Sequence, residues 1–350
     1  MNVAERVECG ARRRRFGAEL PFPPFPPCGS LWGQVEFATE LRTAKSYQTV
    51  DLSIVIVNMN AAEMLRRCLL SIERTRNTLP TEVILVDNAS TDNSIEVTRS
   101  VCPRARILEQ AQNVGYVRAN NIGLAAATGR YVMFLNNDTE ILPDCLAALV
   151  HFLDEHPQVG AVSGQILNPD SSDQGTARRF PTLANAFFGR RSILTHYFPN
   201  NRWSRRYLMG RHRETEESFE VEILSSACLV LRTALAQATG GMDEDFRLYW
   251  VDAEWCNRVR ERGYQVWCVP AAKLIHYEGQ GGSTHTFRQR CRSTIAFHQD
   301  AFQAYVKTRH LPVKHPLSLI TAGALTVRAC CLTVVQLVRP HRSTSSGGRN

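Results

Sequence analysis

The sequence predicts an α/β fold in which a mostly parallel central sheet is flanked by helices. Short runs rich in Val, Ile and Leu lack polar alternation, which is typical of strands buried on both faces. These runs alternate with segments whose leucines recur at helical spacing, as in β-α-β units. With 350 residues, 44% of them hydrophobic, the chain is long enough for one large domain or two modest ones. This composition excludes a fully disordered chain, a fibrous repeat and a disulfide miniprotein.

The predicted elements begin after a long leader. Residues 1–50 contain a Phe/Pro tract that cannot form a helix or a central strand, and we interpret them as flexible. Arg12–Arg15 is not followed by an apolar segment, so no secretory signal is predicted. The predicted strands are Leu52–Asn58, Glu82–Asp87, Arg106–Glu109 and Tyr131–Leu135. The predicted helices are Ala61–Arg76, one starting near Thr91, Val117–Thr128 and one from Pro143 to about His156.

The positive charge is concentrated in two stretches. The formal net charge is +8, yet residues 301–350 hold seven Lys/Arg and no acidic residue, and residues 171–215 hold nine Arg against two acids. The rest of the chain is therefore acidic overall. This distribution disfavours a nucleic-acid-binding protein and indicates two local surfaces that face anionic groups. Eleven cysteines without a C-x-x-C pair are typical of buried thiols in a reducing cytosol.

Asn and Asp follow four successive predicted strands. In open α/β sheets, ligands bind beyond the carboxyl ends of the strands. Amide and carboxylate oxygens hydrogen-bond uracil- or thymine-type edges and ribose hydroxyls, or bind a hard cation. Such residues are also common in turns and N-caps, but four consecutive strand ends favour a ligand site. The residues at these ends are Asn58 and Asn60, Asp87 and Asn88, Asn113 and Gly115, and Asn136, Asn137 and Asp138.

Two common nucleotide-binding motifs are missing from the sequence. No G-x-G-x-x-G follows the first strand, and no G-x-x-x-x-G-K-[ST] occurs anywhere. The sequence therefore disfavours a Rossmann dehydrogenase and a P-loop NTPase, because it lacks the motif typical of each. A Mg²⁺ or Mn²⁺ ion that bridges two phosphates needs one or two protein carboxylates, and Asp138 can supply one.

The motifs together resemble those of family 2 glycosyltransferases, in particular rhamnosyltransferase-like members with a GT-A fold. The likeness runs from about Leu52 to about Ala304 and implies a Rossmann-like sheet. The residues after it are expected to form a C-terminal helical extension. The matching segments of the first half are Val57–Asn60, Val86–Ser94, Asn113–Tyr116, Asn120–Gly123 and Leu135–Thr139. Those of the second half are Gly240–Phe246, Tyr249–Cys256, Arg258, Ile275–His276 and Gly282–Ser283.

The resemblance assigns a role to each matching position. It implies an inverting displacement in which a carboxylate takes the proton of the acceptor hydroxyl, while Mg²⁺ or Mn²⁺ stabilises the departing nucleoside diphosphate. The implied nucleotide-binding residues are Asn58, Asn60, Asp87, Asn88, Asn113, Gly115 and Asn137. The implied metal ligands are Asp138 and His276. The implied acceptor or phosphate contacts are Ser226, Arg258 and Ser283.

The choice of general base stays open between two acids. Asp252 is preferred and Glu254 is the alternative, because Val251 stands where the family has a further acid. Asn136 replaces the first acid of the metal-binding D-x-D element. His276 could also be a core histidine, and Trp250 and Trp255 fit a core role as well as a sugar-stacking one.

The C-terminal segment has the length of a membrane helix. Leu317–Val338 is 22 residues long, but its central Arg328 makes spanning marginal. Most of its polar residues fall on one side of a helical projection, and most of its branched apolar residues fall on the other. The sequence therefore predicts a basic amphipathic helix at the surface of an anionic leaflet. The alternative is a helix packed on the catalytic domain.

These observations predict the organisation and function of the chain. We expect a leader (1–50), a catalytic domain (51–304) with nucleotide-binding (51–140) and acceptor-binding (141–304) halves, and a basic helix and tail (305–350). The expected reaction moves a sugar, with rhamnose a candidate, from a dTDP- or UDP-linked donor to a glycan or lipid-linked acceptor in cell-surface polysaccharide biosynthesis. The expected location is the cytoplasmic face of the membrane, by peripheral association. The alternatives are an inactive GT-A-like module that recruits glycan machinery and a nucleotidyltransferase, but the latter lacks a phosphate loop after the first strand.

Overall fold

The computed structural model describes residues 50–75, 79–180, 197, 202–209, 215–279 and 287–338. The predicted leader before residue 50 and the predicted contact Ser283 lie outside these residues. The strands are β1 Leu52–Asn58, β2 Thr81–Asp87, β3 Arg106–Glu109, β4 Tyr131–Asn136, β5 Thr139–Ile141, β6 Val159–Leu167, β7 Phe219–Glu220, β8 Cys228–Arg232 and β9 Gln265–His276. The helices are α1 Ala62–Thr75, α2 Ser94–Val101, α3 Tyr116–Ala126, α4 Cys145–Glu155, α5 Arg202–Tyr207, α6 Thr233–Ala238, α7 Val251–Glu261, α8 Phe287–Thr308 and α9 Pro316–Val338.

The strands form one sheet in the order β3-β2-β1-β4-β8-β6-β9-β5, and β7 pairs with β9. β1 to β4 are mutually parallel, as the β-α-β pattern predicts. Beyond β4 the sheet is mixed. β8 is antiparallel to both β4 and β6, β6 and β9 are parallel, and β5 is antiparallel to β9. The predicted α/β class is confirmed, and the four predicted strands lie within one residue of the observed ones.

Each face of the sheet is covered by its own hydrophobic core. Alternate residues of β1 point to opposite faces. Ile54 packs in the core that contains Leu65 of α1, and Val55 packs in the core that contains Trp255 of α7. This double burial explains why the strands read as continuous apolar runs.

Helix α7 is anchored by Trp255, which is fully buried. Its ring meets Phe134 of β4 edge-on at 5.1 Å between centroids, and its Nε1–H donates to Thr239 Oγ1 at 2.8 Å. Such an aromatic pair contributes about 0.5–1.5 kcal/mol beyond area burial. Trp255 therefore belongs to the core, which fixes the start of α7 relative to the sheet.

Helix α9 packs against α8 with its polar residues. Ser318 and Thr321 are buried, whereas Ile320 and Val327 are each 64% exposed. Arg328 Nη1 lies 3.1 Å from Nε2 of His298 on α8. Within the described residues, α9 is the one helix long and apolar enough to cross a membrane by length and composition. A helix that packs on the core of a soluble protein buries its apolar residues and exposes its polar ones, whereas α9 does the opposite.

Candidate functional site

The carboxyl ends of β1, β2 and β4 meet at one edge of the sheet. The parallel register places Asn58 opposite Asp87, and Val57 opposite Asn136. The polar residues that follow the three strands are therefore brought together, as their position after parallel strands predicts.

Asp87 offers a buried acceptor at this edge. Its side chain is 2% exposed, and Oδ2 accepts the backbone N–H of Ser90 at 2.9 Å. Oδ1 is buried and has no hydrogen-bond partner within the described part of the chain. A buried carboxylate oxygen without a donor is costly, so this atom fits a donor group of a bound molecule.

The loops at the sheet edge are connected by hydrogen bonds of the side chains of Asn58, Asn60 and Asn137. Asn137 Nδ2 donates to Asn58 Oδ1 at 2.7 Å, and Asn58 Nδ2 donates to Ser90 Oγ at 3.3 Å. Asn60 Oδ1 accepts the backbone N–H of Thr91 at 2.7 Å. These amides therefore hold the loops after β1, β2 and β4 in a fixed relation.

Asn88 and Asn113 form a second link. Asn88 Nδ2 donates to Asn113 Oδ1 at 3.0 Å, and Asn88 Oδ1 accepts the N–H of Val114 at 2.8 Å. Gly115 then enters α3 with φ of +87°, in the region that favours glycine. The two asparagines thus fix the entry into α3 beside Asp87.

Asp138 and His276 meet although 138 positions separate them in the chain. β5 pairs antiparallel with β9, and its register places Thr139 opposite His276. As a result His276 Nε2 lies 3.2 Å from Asp138 Oδ1, and both residues are buried.

Gln174 determines which nitrogen of His276 carries the proton. Its Nε2 donates to the backbone carbonyl of His276 at 2.6 Å, so its Oε1, 3.0 Å from Nδ1, acts as an acceptor. In the neutral ring the proton is therefore on Nδ1, and Nε2 presents a lone pair. Asn136 is consistent with this, because its Nδ2 lies 3.3 Å from Nε2.

The Asp138–His276 pair fits a divalent cation. A ring nitrogen lone pair and a carboxylate oxygen 3.2 Å apart repel each other unless a proton or a metal ion lies between them. The Gln174 contact is the kind of outer hydrogen bond that orients metal-bound histidines. No group of three or more His, Cys, Asp or Glu suited to a metal occurs in the described ranges. Further ligands would therefore come from a substrate or from water.

Asp252 is held at the first turn of α7. The backbone N–H of Ala253 donates to its Oδ1 at 2.8 Å, and that of Ser226 lies 3.4 Å from Oδ2. Burial raises the pKa of the Asp252 carboxyl, and the positive charge of Arg178 opposes this rise. Arg178 belongs to the arginine-rich stretch 171–215. The Arg178–Ile223 bridge places it, half-buried, beside Asp252.

Glu254 is engaged within the protein. Arg258 Nε and Nη2 donate to its two carboxylate oxygens at 2.7 and 2.8 Å. The same guanidinium also donates to the carbonyls of Thr239 and Gly241. Arg258 thus joins α7 to the segment after α6. The i, i+4 spacing of an acid and an arginine is the sequence signal for this pair.

Tyr116 and Ser226 link the two sides of the site. Burial raises the pKa of Tyr116 to about 12, so its hydroxyl stays protonated. It donates to Asn136 Oδ1 at 3.3 Å, next to His276, and it also bonds to Ser226, which contacts Asp252. The Asp138–His276 pair and Asp252 therefore lie on either side of one tyrosine.

Asp300 of α8 fixes the loop that leads into α7. It is 2% exposed, and its Oδ2 accepts the backbone N–H groups of Leu248 at 3.1 Å and Tyr249 at 2.9 Å. Trp250, the next residue, adopts a left-handed conformation with φ of 64°, which is strained for a bulky side chain. The Asp300 contacts hold this strained turn two residues before Asp252. No sequence motif pointed to Asp300.

Comparison with known proteins finds similarity to glycosyltransferases. The family model "Glycosyl transferase family 2" matches residues 53–217. An N-acetylglucosaminyl-diphospho-decaprenol L-rhamnosyltransferase of Mycobacterium tuberculosis is 27% identical over 303 residues, covering 83% of this chain and 95% of that protein. An O-antigen biosynthesis protein of Myxococcus xanthus is 29% identical over 237 residues, which cover 66% of this chain and 17% of the relative.

A solved structure supports the fold. The mannosyltransferase of Pyrobaculum calidifontis in complex with GDP-Man and Mn²⁺ superimposes with a TM-score of 0.52 at 18% identity, covering 87% of this chain and 84% of that chain. The GT-A fold expected from the sequence is thereby confirmed.

Replacing Asp300 tests how the loop before α7 is held. In Asp300→Asn we expect the amides of Leu248 and Tyr249 to exchange about 10- to 100-fold faster, because hydrogen bonds to a charged group contribute about 1.5–3 kcal/mol. Hydrogen exchange with mass spectrometry measures this. Asp245→Asn, which alters an exposed partner of Lys307, should leave these amides unchanged. Equal exchange in wild type and Asp300→Asn would show that Asp300 does not hold the loop.

Proposed function

We propose that this chain, which matches the family 2 glycosyltransferase model over residues 53–217 and is similar to a mycobacterial rhamnosyltransferase, moves a sugar, with rhamnose the first candidate, from a nucleotide-sugar donor to a lipid-linked glycan. The observation that carries the proposal is the edge of the sheet where Asp87, the Asp138–His276 pair and Asp252 come together. These groups supply nucleotide recognition, diphosphate binding and a base. The alternative of an inactive binding module is not favoured, since all of these groups are in place.

The unpartnered oxygen of Asp87 supports a nucleotide site. An N–H of a uracil or thymine ring, or a ribose hydroxyl, supplies the donor that Oδ1 lacks. The fixed loops around Asn58 and Asn88 keep this oxygen in place before the donor arrives, which reduces the ordering cost of binding. We assign Asp87 to the nucleoside of a dTDP- or UDP-linked sugar.

The Asp138–His276 pair supports a divalent metal, Mg²⁺ or Mn²⁺. Two protein ligands suffice when substrate phosphates and water complete the coordination. When bound, the metal would stabilise the negative charge that develops on the departing diphosphate. The superimposed mannosyltransferase, a structure with GDP-Man and Mn²⁺, is in keeping with this assignment. Asp138 and His276 would hold the ion, and Gln174 would keep the His276 Nε2 lone pair directed to it.

Asp252 is the group best suited to act as general base. Glu254 has both oxygens occupied by Arg258, whereas Asp252 accepts only backbone N–H groups and is partly exposed. Its raised pKa makes it a stronger base than an ordinary aspartate. In the proposed step, Asp252 takes the proton of the acceptor hydroxyl as that oxygen bonds to the anomeric carbon. The bond from this carbon to the nucleoside diphosphate breaks at the same time, so the configuration inverts.

The exposed apolar face of α9 supports peripheral membrane association. Leu319, Ile320, Val327 and Val334 are all more than half exposed, whereas Ser318 is buried against the protein. Lys314 and His315 precede the helix, and residues 301–350 contain no acidic side chain. Apolar residues with basic flanks fit the surface of an anionic leaflet. A lipid-linked acceptor, such as the one in the name of the mycobacterial relative, would be presented at the cytoplasmic face of such a membrane.

Loss of the metal ligands should remove metal-dependent donor binding. In a thermal-unfolding assay, dTDP or UDP with Mn²⁺ should raise the wild-type midpoint, since saturation at 100 times Kd stabilises by about 2.7 kcal/mol. Asp138→Ala and His276→Ala should lose the Mn²⁺-dependent part of this rise. Gln174→Leu should lower the affinity for Mn²⁺ about 10- to 100-fold and thereby reduce the rise. Asp170→Asn and His151→Ala, both at exposed positions, serve as controls. An undiminished Mn²⁺ effect in Asp138→Ala would remove this residue from the site.

Replacing Asp252 should affect catalysis, whereas replacing Glu254 should affect stability. Asp252→Asn should lower kcat by about 10²–10⁴ while nucleoside diphosphate binding persists, because only the proton transfer is lost. Glu254→Gln should instead lower the free energy of unfolding by about 3–5 kcal/mol, since it leaves Arg258 without its buried partner. Steady-state transfer assays and chemical unfolding measure the two effects.

The pH dependence of kcat/KM provides a second test of the roles of Asp252 and Glu254. A base works only when deprotonated, so wild-type kcat/KM should fall as pH drops through the raised pKa of Asp252, above the range of an ordinary aspartate. This acid limb should be absent from the residual activity of Asp252→Asn. A large loss of kcat in folded Glu254→Gln, with Asp252→Asn active, would reverse the assignment.

Membrane association should depend on the outward face of α9. The purified chain should float with vesicles that contain phosphatidylglycerol. The double variant Ile320→Ser with Val327→Ser should have at least about 10-fold lower affinity for these vesicles, because two apolar side chains no longer enter the interface. Thr326→Ser on the same helix should float like wild type. Equal flotation of the double variant would exclude this face as the membrane contact.

A further inference from the structure

A groove lies between the loop that leads into α7 and the first half of α8. Its volume is about 340 Å³. Arg247 and Leu248 line it from the loop, and Arg292 and Ile295 line it from α8. The loop wall is the segment whose backbone is fixed by Asp300, so the groove is preformed on this side.

Both arginines of the groove are exposed and carry no ion pair in the described part of the chain. Some arginines of the fold are engaged by carboxylates: Arg258 pairs with Glu254, and Arg130 pairs with Asp51 and Asp154. Two free guanidinium groups on opposite walls favour a phosphate or diphosphate, which they can bind by charge-assisted hydrogen bonds.

The groove also exposes apolar side chains next to these charges. Leu248 is 40% exposed and Ile295 is 48% exposed. Arginine beside exposed aliphatic surface suits an amphiphile, in which an anionic head group is joined to a hydrocarbon chain. A nucleotide or a free glycan lacks the hydrocarbon part.

The groove is built from the loop that leads to Asp252 and from the helix that contacts α9. Tyr249, a third groove residue on the loop, lies three positions before Asp252. On the other side, α8 is the helix against which α9 packs, with the apolar face of α9 exposed. An amphiphile held by Arg247 and Arg292 would thus have its lipid near the membrane and its sugar near Asp252.

From these contacts we infer that the groove binds the diphosphate and the first isoprenoid units of a polyprenyl-diphosphate-linked acceptor. The inference rests on the proposed function for the identity of the sugar acceptor, but the groove chemistry is independent of it. Arg247 and Arg292 bind the diphosphate, and Leu248 and Ile295 contact the isoprenoid chain.

Farnesyl diphosphate is a probe that carries both features of this ligand. Titration calorimetry on the full chain, with EDTA present so that no metal-dependent diphosphate binding contributes, should show binding of farnesyl diphosphate. Farnesol and inorganic diphosphate should bind at least about 10-fold more weakly. Arg247→Gln and Arg292→Gln should each weaken farnesyl diphosphate binding about 10-fold or more, whereas Arg66→Gln, at an exposed position of α1, should not. Equal affinity of wild type and both groove variants would overturn the inference.

A transfer assay separates this inference from the proposed function. With a lipid-diphosphate-linked acceptor, Arg247→Gln and Arg292→Gln should raise the acceptor KM about 10-fold or more and leave the KM of the nucleotide sugar unchanged. Activity of wild type with unchanged acceptor KM in both variants would refute the groove and keep the proposed function. Absence of transfer by wild type, with arginine-dependent farnesyl diphosphate binding intact, would refute the proposed function and keep the groove.

Discussion

Strand β5 has three residues, and its antiparallel pairing with β9 sets Thr139 opposite His276. This register brings the His276 Nε2 lone pair to 3.2 Å from Asp138, and the rest of the site is arranged around that contact. Gln174 orients the ring from one side, and Asn136 approaches it from the other. A shift of β9 by one residue would turn His276 to the opposite face of the sheet and separate the two groups.

Helix α7 shows how one stretch of sequence serves stability and chemistry at once. Trp255 fixes the helix against β4, and the Glu254–Arg258 pair ties it to the segment after α6. Asp252, one turn earlier, is left with backbone contacts and a raised pKa. The burial that makes it a stronger base comes from the same packing that holds the helix.

Helix α8 joins three regions that are distant in the sequence. Asp300 holds the turn before α7, Arg292 lines the groove, and His298 contacts Arg328 of α9. Helix α9, with its exposed apolar face, is therefore connected to the loop of the proposed base through a single helix. Under the proposed function, this arrangement would place the lipid, the diphosphate and the reacting sugar along one path.

The sequence by itself determined the α/β class, the four parallel strands and the cluster of Asn and Asp at their ends, because apolar periodicity and parallel topology are local signals. The exposed apolar face of α9 likewise followed the two-sided pattern of Leu317–Val338. Only the tertiary structure decided that Asp138 lies beside His276, and that Asp300 and Gln174 support the site. These outcomes depend on strand register and helix docking between residues more than 50 positions apart, for which periodicity carries no information.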